Sequence, residues 1–299
     1  DMSASNGTLS NLSTSDNIHW TATLTPTASS NSSGNVITLD NTLYTDTATN
    51  VGTGTTTSNT YAVDTVRPTA TIVVANTALN IGGTSLVTIT FSEAVTGFTT
   101  ADLTVGGGTL SGLSSSDGGT TWTATLTPTA SVTQTGDVIT LDNTGVSDAA
   151  GNAGSGTTHS NTYAVDTQRP NATVVFANTN LGVGQTSLVT ITFSEAVVGF
   201  TNADLTVSNG TLSAVSSSDG GITWTATFTP TASIVSASNH ITLDNTGVQD
   251  TAGNAGSGTT TSNNVVIDGV RPTATVVVAN HSLIIGQTSL VTITFSEAV

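Results

Sequence analysis

The chain has 299 residues, only 7% of them charged, with 3 Lys+Arg against 19 Asp+Glu for a formal net charge of −16. That balance excludes a nucleic-acid binder, which needs a basic footprint on the phosphates, and no stretch approaches the run of about 20 apolar residues that spans a bilayer as a helix. Cysteine and lysine are both absent, the basic residues being Arg67, Arg169 and Arg271, so disulfides, thiolate metal sites, lysine nucleophiles and Lys–Asn cross-links are excluded as well.

Taken in chain order, Asp1-Met2-Ser3-Ala4-Ser5 offers neither a basic n-region nor an apolar h-region, and the chain reads as part of something longer. The next clear element, Trp20-Thr21-Ala22-Thr23-Leu24-Thr25, alternates apolar with Thr and recurs from Trp122 and from Trp224, a spacing of 102. The arginines are also 102 apart, and so are the three copies of Phe-Ser-Glu-Ala-Val that begin at Phe91, Phe193 and Phe295. One unit is therefore copied about three times, and a period near 100 suits a whole domain better than a solenoid coil or a propeller blade.

Within the unit at 64–165, period-two alternation predicts strands over 71–74, 86–91, 103–105, 109–113, 121–127, 138–141 and 160–165. Turn clusters such as Asp117-Gly118-Gly119 and 148–156 break them. No segment has a sustained helical period. The fold class is all-β, and seven short strands in about 100 residues predict an immunoglobulin-like sandwich. The domains are then a partial repeat at 1–63 lacking its first two strands, complete repeats at 64–165 and 166–267, and the first two strands of another at 268–299. The strings VDTVRPTATIVV, TSLVTITFSEAV, SSSDGGTTWTATLTP and DAAGNAGSGTT resemble the bacterial Ig-like repeats of giant secreted adhesins and biofilm-matrix proteins. The resemblance covers the whole chain and implies a secreted stalk, without specifying a ligand.

The acids recur in register: Glu93, Asp102, Asp117, Asp142, Asp148 and Asp166 are matched by Glu195, Asp204, Asp219, Asp244, Asp250 and Asp268, and only Asp137 falls outside the pattern. If the strand at 71–74 leaves one pole and that at 86–91 returns to it, the loops with Glu93, Asp102, Asp117 and Asp148 lie at that pole beside Asp64 of the preceding linker. Unit charges 4 Å apart repel by about 1 kcal/mol in water and about 4 kcal/mol at a protein surface, so such a cluster needs a cation. Oxygen donors without His or Cys suit Ca²⁺ better than Zn²⁺ or Mg²⁺. The expected ligands are Asp64, Glu93, Asp102 and Asp148 at one junction, with Asp117 as a weaker candidate, and Asp166, Glu195, Asp204 and Asp250 at the next.

Simpler roles stand beside this one. Asp64 has Arg67 three residues on as an ion-pair partner, Asp148 suits an Asx-turn, Asp117 a hairpin and Asp142 a turn. The tryptophans are expected in the core. His19, His159, His240 and His281 share no repeat position, and no nucleophile–His–acid pattern, phosphate loop or HExxH motif appears, so an enzyme is not expected. Thr-x-Thr runs recur once per domain instead of in stacked rungs, against an ice-binding face.

The two ends fall at complementary points of the repeat. Either the chain is a window on a longer one, or its last two strands complete the 1–63 repeat of another copy by strand donation. In that second case Asp268 and Glu297 of one molecule share a junction with Asp1 and Asp46 of the next, and a filament results. The function expected is an extracellular, Ca²⁺-stiffened stalk or filament for bacterial adhesion or biofilm matrix. The alternative is a module in which Gly106, Gly107 and Gly108 or the Thr-rich faces hold a glycan or a protein.

Overall fold

The strand Ser85–Phe91 carries its apolar side chains on one face, with Val87 and Ile89 fully buried and Leu86 turned outward, 55% exposed. A computed structural model describes residues 1–299 and places this strand inside a four-stranded antiparallel sheet. The order is Gly108–Ser115, Thr121–Pro128, Ser85–Phe91, Ala70–Val74. Ile89 sits opposite Trp122 on one side and Ile72 on the other. The facing layer is built from Leu103–Val105, Ile139–Asp142 and Thr157–His159, and from Thr133–Asp137, Tyr163–Asp166 and Ala78–Leu79. Ile72, Val87, Ile89 and Leu126 from the first layer meet Ile139, Leu141 and Val165 from the second in one core. Fully burying each such side chain is worth about 1.5–3 kcal/mol. Two antiparallel layers in this strand order form an immunoglobulin-like sandwich, and 166–267 repeats it around Val189, Ile191 and Phe228.

Three features depart from the pattern read in the sequence. The single strand expected at 160–165 is two, Thr157–His159 and Tyr163–Asp166, which pair with different partners. Between them Asn161 accepts a hydrogen bond from Val74 N–H (2.8 Å) and donates one to Val74 C=O (3.1 Å), tying the switch point to the opposite layer. Ala78–Leu79, which runs parallel to Tyr163–Asp166, is only two residues long. Thr133–Asp137 contains no apolar residue, so neither strand leaves an alternation to detect.

By contact density the chain divides into two units, Asp1–Asp166 and Thr167–Val299. Each contains one complete repeat and one partial one. In the first unit, residues 1–63 form the later strands of a repeat with their apolar side open. Trp20 is 56% exposed, whereas Trp122 is half-buried with its ring edge-on to Phe98 at 5.2 Å. Trp224 packs against Phe200 in the same way. The tryptophans expected in the core are half-buried in the complete repeats, packed against the core at its margin, and Trp20 is exposed. In the second unit, Ala274–Val278 and Val291–Phe295 pair with each other and every residue of both is exposed.

Candidate metal centre

The first acidic set joins two successive repeats inside one unit. Asp64 ends the strand Tyr61–Asp64 of the partial repeat, where it lies opposite Asn31 and accepts a hydrogen bond on Oδ2 from Asn31 Nδ2 (3.0 Å). Asp148 belongs to the next repeat and is brought in by the short pairing Val95↔Asp148. That pairing also fixes the turn after Phe91 that carries Glu93. One carboxylate oxygen from each of Asp64, Glu93 and Asp148 lies within 4.8 Å of the other two. Asp148 is 3% exposed, and Asp64 and Glu93 are half-buried.

The electrostatics follow from that crowding. Burial pushes the Glu93 carboxyl above its ordinary range, and the charges of Asp148 and Asp64 push it in the same direction. Asp148 is lowered instead, chiefly by its hydrogen bonds from Asn152. The Asn152 side chain donates to Oδ2 and its backbone N–H to Oδ1, both at 2.8 Å. Asn152 Nδ2 also donates to Asp64 C=O at 3.1 Å, and Arg67 Nη1 donates to Ala153 C=O at 2.6 Å. The loop after Asp148 is thus stapled to the linker. Arg67 is used on that carbonyl and forms no ion pair with Asp64, so the Asp64–Arg67 alternative is not realised and the three acids have no cationic side chain among them.

Ca²⁺ takes oxygen ligands at about 2.3–2.6 Å. Two ligand oxygens on one ion are therefore separated by at most about 5 Å, which the 4.8 Å grouping satisfies. The three donors are carboxylate oxygens only, with no nitrogen or sulfur among them. The residues present fit the ion.

Asp102 is not part of the set. It closes a capping box on the turn Thr100–Asp102, where its Oδ2 accepts from Thr99 N–H at 2.8 Å, and its Oδ1 lies where a Cβ on Gly145 would stand. Asp204 does the same with Thr201 and Gly247. Asp102 and Asp204 are therefore corrected from ligands to turn caps. The reason is local: a carboxylate three residues after Thr reaches its own turn before it reaches another loop. Asp117 is held by Thr121 N–H, Thr120 N–H and Ser115 Oγ, the hairpin role, which pulls it down to about 2. Asp142 caps the turn Asn143–Gly145.

In the second unit Glu195 and Asp250 hold the positions of Glu93 and Asp148, with Asp250 buried, paired through Val197↔Asp250 and bonded by Asn254. Asp166 is the last residue of the first unit. Asp46 keeps its loop, with Asn50 donating to both of its oxygens, but is exposed. Asp1, Asp268 and Glu297 are exposed ends of partial repeats. Sequence reasoning passed over Asn152, yet the signal was there: an Asp followed four residues later by Asn recurs at Asp46/Asn50, Asp148/Asn152 and Asp250/Asn254. The glycine segment offered as a binding loop is half-buried against its own repeat. Tyr163 Oη donates to Gly106 C=O, and Asp137 lies on Gly107.

The bacterial Ig-like domain model matches residues 1–63, 64–165, 166–267 and 268–299. The chain belongs to the bacterial Ig-like domain family. Solved structures similar to this Ig-like chain include the Escherichia coli adhesin FdeC, at 16% identity over 77% of this chain and 73% of that one, with a TM-score of 0.35. The Yersinia pseudotuberculosis adhesin InvE matches at 18% identity over 66% of this chain and 58% of that one, with a TM-score of 0.25. Among curated proteins no sequence match is found.

Proposed function

We propose that this chain is a non-catalytic, extracellular spacer of a bacterial adhesion or biofilm-matrix protein, a stalk of Ig-like repeats stiffened by Ca²⁺ at the junctions. The observation that carries this reading is the convergence of Asp64 from one repeat with Glu93 and Asp148 from the next within 4.8 Å. A cation there links two domains through charge that otherwise repels. Near-identical copies suit spacing, because a recognition site needs a loop that differs. Three arginines and no lysine also leave few tryptic sites to an exposed stalk.

Calorimetric titration with Ca²⁺ tests the site, and small-angle scattering with and without excess chelator tests the stiffening. Binding is expected, together with a shorter and broader distribution of end-to-end lengths in chelator. A chain that binds no Ca²⁺, or whose scattering is the same in chelator, overturns the calcium part of the reading.

A further inference from the structure

The linkers between repeats differ at one residue that matters. In the first, Thr65 Oγ1 donates to Thr27 C=O at 2.7 Å and accepts from Ser30 N–H at 3.0 Å, which pins the linker to the preceding loop. Thr167 keeps the residue one period on, and two periods on Gly269 stands instead. The backbone is retained: Gly269 N–H donates to Ile234 C=O at 2.7 Å, as Thr65 N–H does to Ser30 C=O at 2.8 Å. A Cβ on Gly269 would lie 3.2 Å from the nitrogens of Ser233 and Ile234. The place is still built for a hydroxyl that the chain does not supply, and Ile234 N–H and Thr231 C=O make no hydrogen bond within the chain.

That place adjoins a cleft of about 300 Å³ lined by Thr231, Ser233 and Gly269, by the apolar surfaces of Pro230 and Val183, and by Gln185. The volume is at the lower end of the range for small-ligand sites. Gln185 is a second departure from the repeat, standing where the preceding copy has Gly83. Its Oε1 accepts from Gly182 N–H at 2.8 Å, which leaves the Nε2 hydrogens to a further acceptor. The cleft does not owe its opening to the partial repeat beyond it. In the first unit the corresponding loop residues Thr27, Ala28 and Ser29 are exposed beside a complete following repeat.

We infer that this cleft binds one unit of a neutral saccharide, with a sugar hydroxyl seated between Ile234 N–H and Thr231 C=O as the Thr65 hydroxyl is between Ser30 N–H and Thr27 C=O. A hydroxyl both donates and accepts, so it satisfies the two groups together. The C–H face of a sugar ring suits Pro230 and Val183, and the Gln185 amide donates to a second oxygen. No charged side chain lines the cleft, and the neighbouring Asp268 carboxylate works against an anionic ligand. The site lies where the copies differ, as recognition requires, and uses none of the junction acids, so it stands apart from the calcium reading.

The test uses the whole chain, labelled for amide NMR and titrated in chelator with glucose, galactose, mannose and N-acetylglucosamine. At least one sugar should move the backbone amide signals of Ile234 and Gly269 and the side-chain amide of Gln185, saturating with a Kd on the order of 1–10 mM. Sialic acid, which is anionic, should leave them in place. Gly269→Thr supplies the hydroxyl from the chain itself and should weaken binding at least about tenfold without lowering the melting temperature. Gln185→Gly, which restores the residue of the preceding repeat, should weaken binding with the melting temperature unchanged. The inference is overturned if none of the four sugars moves these signals, if sialic acid moves them equally, or if Gly269→Thr binds as the wild type does.

Discussion

Asp137 presses a carboxylate oxygen, Oδ2, onto Gly107, where the oxygen is buried and has no hydrogen-bond partner. The neighbouring repeats solve the same spot differently. Asn35 and Asn239 replace the acid, and each accepts an amide hydrogen bond, from Asn6 at 2.8 Å and from Asn209 at 2.7 Å. Their own amide groups donate to carbonyls of the bulged strand and its partner, Ser32 and Tyr61 in one case and Ser236 and Val265 in the other. A carboxylate at 137 can donate to neither. Asp137→Asn is therefore expected to stabilise the repeat by about 1–2 kcal/mol, the usual cost of leaving a buried polar group unpaired. Gly107→Asn added to it should contribute further, since Asn6 and Asn209 adopt the same positive φ as Gly107. Denaturant unfolding read from Trp122, in a chain whose other two tryptophans are Phe, measures both steps.

The junction acids separate by role. Glu93→Gln removes a proposed ligand and a repelled charge together, so Ca²⁺ affinity should fall on the order of tenfold, about 1.4 kcal/mol, while the chain without metal gains stability. Asp102→Ala should leave Ca²⁺ affinity unchanged and cost about 1 kcal/mol as a lost cap. Titration calorimetry on both variants, beside melting curves in chelator, decides between the two assignments.

Much of this was legible in the sequence because the repeat is long, regular and two-periodic. Val87, Ile89 and Phe91 announce a strand with one wet face, and the 102-residue spacing fixes the domain size. Glu93 and Asp148 were legible as a pair because both sit where strands end at one pole. Asp102 misled because its position in the loop says nothing about its direction, which the Thr99 backbone decides through a hydrogen bond only 2.8 Å long. Thr133–Asp137 was invisible for a different reason: a strand of Thr, Gln, Gly and Asp contributes backbone pairing without apolar alternation.

Asn152 stands between the two repeats as a hydrogen-bonded staple, reaching both Asp64 C=O and Asp148 Oδ2 from one amide group. Asn152→Ala should cost about 1–3 kcal/mol, because it leaves polar atoms of a partly buried site unpaired. It should also leave Ca²⁺ binding weaker, since the Asp148 loop is no longer held in position. Asn50→Ala is the comparison: its side chain donates to the exposed Asp46, so the melting temperature should move less than for Asn152→Ala. Differential scanning calorimetry of the two variants separates a junction staple from an ordinary loop bond.

The hairpin acids add to the acid sensitivity of the fold. Asp117 and Asp219 each accept two backbone N–H groups of the following turn and a serine hydroxyl, and both are pulled down from 3.8 to about 2. Between those values the unfolded chain binds more protons than the folded one, so stability rises with pH across that window and is lost as pH falls from about 4 to about 2. Above about pH 5 the contribution is fully present and flat. Asp117→Asn together with Asp219→Asn should therefore lower the melting temperature at pH 7 and flatten its fall between pH 4 and pH 2, whereas the wild-type chain melts progressively earlier over that interval. Melting curves by circular dichroism at half-unit steps of pH, in chelator so that metal release adds nothing, give the comparison. Equal slopes for variant and wild type would place the acid sensitivity on other carboxylates.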